Sequence, residues 1–115
     1  MIESIKVAGI TYDVEFKELE IDEGMQLGWC KFAESKIEIN NHKVSEQKQK
    51  QTLIHEMTHA IFNEAGIELE DEENIVNKVG IVLHQVLKDN DFSFLQDKKT
   101  ITIYTSDGKT EEWEK

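Results

Sequence analysis

The 115-residue sequence contains no proline, a single cysteine and no internal repeat or low-complexity segment. One thiol (Cys30) cannot close an internal disulfide, and it cannot supply a thiolate zinc cluster or a zinc ribbon. No stretch approaches the ~18 uninterrupted apolar residues of a membrane helix. Basic residues are scarce: 13 Lys plus Arg face 24 Asp plus Glu, for a formal charge of −11. A surface this acidic repels phosphate backbones and anionic lipid heads, which argues against nucleic acid and membranes as partners. By the same steering it favours basic or neutral peptides. The start, Met1-Ile2-Glu3-Ser4-Ile5-Lys6, lacks the apolar and basic regions of a secretory signal, so a cytoplasmic location is expected. The length accommodates one domain, residues 1–115, with one core. Trp29, Trp113, five Phe and many aliphatic residues exclude wholesale disorder.

Hydrophobic periodicity divides the chain. Ile5, Val7, Ile10, Tyr12, Val14 and Phe16 alternate with polar residues, which predicts two strands around Ala8-Gly9. Leu27 to Phe32 and Lys36 to Asn40 predict a second hairpin, turned at Ala33-Glu34-Ser35. Ser45 is placed to cap a helix over about 46–65, whose stripe is Leu53, Ile54, Met57, Ala60 and Ile61. Gly66 followed by Ile67 fits a left-handed helix end. Asp71-Glu72-Glu73 opens a second helix, running to about Lys88 on Ile75, Val76, Val79, Val82, Leu83, Val86 and Leu87. A short piece over 92–95 follows. Asp107-Gly108, after Ile101 and Ile103, signals a C-terminal hairpin. The expected fold is a small α+β domain, with mostly antiparallel strands before and after two central helices.

The first helix carries His55-Glu56-Met57-Thr58-His59. Residues four apart on a helix share a face, so both imidazoles can reach one metal ion. Glu56 lies about 100° round from His55, where its carboxylate can hold a water without entering the coordination shell. Two neutral imidazoles and a carboxylate suit Zn2+, which would acidify the water that Glu56 deprotonates. By chance the pattern would arise in about 1–2% of chains of this composition. The competing reading is an amphipathic helix with two surface histidines.

The chain downstream discriminates among zinc peptidases. Phe62 and Ala65 stand where a metzincin requires Gly and His, which excludes that class. Glu72-Glu73-Asn74-Ile75-Val76-Asn77-Lys78-Val79-Gly80 follows on the next helix. An HExxH on one helix, then a Glu with a polar residue four positions later on the next, resembles the gluzincin metallopeptidases. It is most similar to minigluzincins and to small HExxH proteins of prophages and mobile elements, over roughly residues 35–90. The resemblance implies a zincin-like minimal core with Zn2+ held by His55, His59 and Glu73, and Glu56 as general base. Asn77 would stand where the family has an Asp that orients a ligand histidine, and Gly80 where the two helices touch. It also implies peptide-bond hydrolysis, in a bacterial or phage-infected cell, with substrate added to Lys36–Asn40 as an edge strand. On that strand Ile37 and Ile39 would face the core, and Lys36, Glu38 and Asn40 the solvent.

Several positions stay open. Glu70, Glu72 and Glu73 all suit a helix start through the macrodipole; only Glu73 shares a face with Asn77 and Gly80, and Glu72 is the reserve ligand. Tyr12, Tyr104, His42 and His84 are candidates by type for stabilising an oxyanion, and His84 also for closing the metal site. Trp29 reads as core. The alternative function is a non-catalytic zinc-binding or protein-interaction module of a phage or mobile element. Sequence leaves substrate and oligomeric state open.

Overall fold

The computed structural model describes residues 2–19 and 27–96. Among them, four strands and two helices follow one another as β1 (Ser4–Val7), β2 (Ile10–Lys17), β3 (Gly28–Lys31), β4 (Lys36–Asn40), α1 (Glu46–Ala65) and α2 (Glu72–Asp89). Short 3-10 turns lie at Phe32–Glu34 and Ser93–Leu95. The α+β class read from the sequence is the observed one. The expected C-terminal hairpin lies outside the described residues.

β1 and β2 form an antiparallel hairpin turned at Ala8 and Gly9, both at positive φ. β3 and β4 form a second, antiparallel hairpin with Trp29 opposite Glu38. The two hairpins join through a parallel pairing of β2 with β4, so the strand order is β1-β2-β4-β3. The chain therefore crosses after β2 to the far edge, forms β3 there, and returns inward as β4. This overturns the placing of Lys36–Asn40 as an edge strand. β4 is internal, with both of its backbone edges paired, and the edge on that side is β3.

The internal position also corrects the solvent-facing assignment of Glu38 and Asn40, which are 3% and 2% exposed. Glu38 accepts a hydrogen bond from the Trp29 indole and is flanked by Lys17 and Lys31, each at 3.4 Å. Those contacts hold its carboxyl below the usual range, the indole hydrogen bond contributing most. Trp29 is 44% exposed: it lies over Glu38 on the outer face and is not a core residue. Asn40 Oδ1 accepts from the backbone N–H groups of Leu19 and His42, closing the end of β4.

On the inner face Tyr12, Val14, Ile37 and Ile39 meet Leu53 and Ala60 of α1, with Met57 and Cys30 at the margin. Here the strand period of two and the helix period of 3.6 bury a common set of side chains. Ser45 caps α1 through Oγ to the Lys48 N–H. Gly66 ends it at φ 73°, donating its N–H to Asn63, while Ile67 N–H reaches Phe62 O. The chain then reverses, and α2 packs against α1 through its own buried residues Val76 and Gly80.

Candidate metal centre

The two helices run antiparallel, so the first turn of α2 lies beside the second half of α1. His55 and His59 stand one turn apart with ring centroids 5.0 Å apart. Glu73 faces both: Oε2 is 3.1 Å from His55 Nε2, and Oε1 is 3.0 Å from His59 Nε2. One ligand atom from each of the three residues falls within 4.8 Å of the others. A tetrahedral zinc shell with bonds of about 2.0–2.1 Å sets its donors roughly 3.3–3.5 Å apart. Two imidazoles and a carboxylate are a donor set that could hold a zinc ion once the side chains draw together to that spacing.

Glu72, the residue next to Glu73, has a different job. Its Oε2 lies 2.8 Å from His59 Nδ1. An imidazole that donates Nδ1–H to a carboxylate keeps its Nε2 lone pair free for a metal. Asn77 lines the cleft one turn beyond Glu73, but the atom at His59 Nδ1 belongs to Glu72. The orienting contact on His59 is thus made by a residue that sequence reasoning held in reserve as a ligand. The signal for it was the doublet itself: consecutive helix residues point about 100° apart, so two acids can serve two nitrogens of one ring.

Glu56, next to His55 on α1, is 7% exposed. Burial pushes its carboxyl up to about 7, with the Glu73 charge adding to the rise and His59 opposing it. Burial also lowers His55, against the pull of Glu73. For His59 burial acts downward, but the Glu72 hydrogen bond and the charges of Glu56 and Glu73 hold the ring above its ordinary value.

His55, Glu56 and Glu73 open onto a cleft of about 390 Å³, bounded by Gly28 and Leu27 at edge strand β3 and by Asn77, Gly80 and Ile81 of α2. A Cβ on Gly28 would come within 2.8 Å of Glu38 O and 2.9 Å of Thr52 Cγ2. Glycine is what lets β3 lie this close to α1. Gly80 does lie where the helices touch, but a Cβ there would meet only ordinary contacts, 3.7 Å from His55 Cα and Thr58 Oγ1.

The other candidates lie elsewhere. His84 lines a separate groove with Ile54, Leu87 and Lys50, away from the His55, His59 and Glu73 cluster. Tyr12 is buried in the core and donates to Glu64 Oε2 at 2.6 Å. His42 lies 3.7 Å from Glu18, and Tyr104 is outside the described residues. Burial and the charges of Glu56 and Glu64 push the Cys30 thiol up to about 12, which keeps it protonated and unsuited to metal binding. No helix among the described residues is long and apolar enough to cross a membrane. No family model matches the chain, and no curated protein or solved structure is significantly similar to it.

Proposed function

We propose that the protein is a minimal zinc-dependent metallopeptidase of the gluzincin type, acting on peptide or protein substrates. The observation that carries this reading is the convergence of His55, His59 and Glu73 beside a buried Glu56. His55 and His59 offer Nε2, Glu73 a carboxylate oxygen, and Glu72 fixes the tautomer of His59. Bound zinc would polarise a carbonyl and bring the pKa of a water down to about 7. Glu56 accepts the proton of the attacking water and returns it to the leaving amine. Burial sets its carboxyl high, and a zinc dication beside it would favour the ionised form that accepts the proton. Among the described residues β3 is the outermost strand on this side of the sheet, and an extended peptide would add alongside it.

The test compares metal content and peptide cleavage in three proteins. The parent should bind about one zinc and cleave. Glu56→Gln should keep the metal and lose cleavage by roughly 10²-fold or more, since general-base catalysis is worth that much and no ligand is touched. His55→Ala should lose both. Cleavage by Glu56→Gln at the parental rate would remove the chemical basis of the assignment.

A further inference from the structure

Beyond the ligands, the cleft continues along α1 to a charge that the hydrolytic chemistry does not use. Thr52, Gln51 and Lys48 line it together with His55. Their offsets from His55 of three, four and seven residues place all four on one face of the helix. Lys48 is the one lysine or arginine among the described residues that line the cleft. Its Nζ touches Gln51 Oε1 at 3.2 Å, and no carboxylate of the described residues lies within ion-pair distance of it. Lys6, Lys43, Lys50, Lys78 and Lys88 likewise have no ion pair among the described residues, so what sets Lys48 apart is its place in the cleft.

The charge balance gives this lysine its meaning. Glu56 and Glu73 are the acids of the cleft, and a divalent ion between the histidines offsets both. Lys48 is then left as an uncompensated positive charge in a molecule whose formal charge is −11. Seven helical residues set its Cα about 10 Å from that of His55 along the axis. An extended peptide advances ~3.3 Å per residue, so that span is about three residues.

We infer that Lys48 is a specificity-determining residue of the cleft, selecting peptides that carry a carboxylate about three residues from the bond to be cut. This rests on the metallopeptidase reading. The acidic surface disfavours anionic peptides in general, so the selection is local: one carboxylate at one position in an otherwise neutral or basic peptide.

The experiment uses the zinc-loaded full chain and a neutral peptide in which a single Glu, or Gln as its control, is walked through three positions on either side of the cleaved bond. The readouts are kcat/KM with the parent protein and Kd with zinc-loaded Glu56→Gln. At one position three residues from the bond, Glu should be preferred over Gln roughly three- to fivefold in both, the scale of an exposed ion pair. That ratio should fall to about one in Lys48→Ala and invert in Lys48→Glu. Because it compares two peptides on the same protein, partial misfolding of a variant does not imitate the result. Cleavage with no Glu preference, or a preference that survives Lys48→Ala, overturns the assignment of Lys48 alone. Binding with a Lys48-dependent preference but no cleavage overturns the peptidase reading and keeps the carboxylate site. Neither binding nor cleavage overturns both.

Discussion

Glu38 pins the strand that walls the cleft, and replacing it by Gln tests how. It lies on β4 with its side chain 4% exposed, accepting from Trp29 of β3 and flanked by Lys31 of β3 and Lys17 of β2. Glu38→Gln preserves shape and an oxygen acceptor for the indole but removes the charge. The lysines are 48% and 35% exposed, so each ion pair is worth only ~0.2–1 kcal/mol. Turning a charged acceptor into a neutral one weakens the indole hydrogen bond by about 1 kcal/mol. The expected loss is therefore about 1.5–3 kcal/mol at pH 7. At roughly 4 °C per kcal/mol this lowers the Tm by about 6–12 °C.

The pH dependence fixes the sign. The folded-state carboxyl is held below its ordinary 4.5, so its contribution is present above that pH. It is lost as pH falls through the depressed folded value. Thermal melts of parent and variant should therefore differ at pH 7 and converge under strongly acid conditions. A gap that stays constant with pH would show that packing, not charge, holds Glu38. A variant more stable than the parent at pH 7 would show that desolvating the carboxylate outweighs its contacts, as buried ion pairs sometimes do.

Other substitutions probe the site and its frame. Glu72→Gln should weaken zinc affinity about 10- to 100-fold without abolishing binding, as competition with a chelating dye would read, because it loosens the orientation of His59. Gly28→Ala should destabilise by about 1–3 kcal/mol in denaturant melts, since its methyl meets the Glu38 carbonyl and Thr52. Gly80→Ala should do the opposite and raise stability by about 0.5–1 kcal/mol, because the methyl fits and an interior helical glycine is replaced. A loss at Gly80 would mean that the helices are closer than 3.7 Å contacts imply.

The helices were legible because their signals are local. A capping serine, a terminal glycine and an acidic first turn each act within a few residues, and α1 begins and ends where those signals lie. The strand segments were legible too, from alternation. Their order was not. A hairpin signal pairs β3 with β4 but does not say which of the two meets β2, and Lys-Ile-Glu-Ile-Asn alternates equally well inside a sheet or at its edge. Glu38 and Asn40 looked solvent-facing for that reason, although partners three strands wide bury them. His84 failed differently. Seven residues past Asn77 keeps it near the same face of α2, yet it opens onto a groove lined by Gln47, Lys50 and Ile54, on the side of α1 away from the Lys48, Gln51 and His55 of the cleft.

The spacing of 14 residues between His59 and Glu73 follows from the helix hairpin itself. Six residues after His59 bring α1 to Ala65, and the connection over 66–71 reverses the chain. Motion back along α1 then consumes only the first turn of α2 before the level of His59 is reached. Any ligand from α2 must come from that turn, which is also where the macrodipole favours acids. Dipole complementation and metal binding thus select the same two positions, so an acidic helix start gives no reason to choose between them. What separates them is direction: Glu72 and Glu73 point about 100° apart, and the structure sends one to His59 Nδ1 and the other between the two Nε2 atoms. A helix start serving only the dipole has no need to aim both carboxylates at the same imidazole.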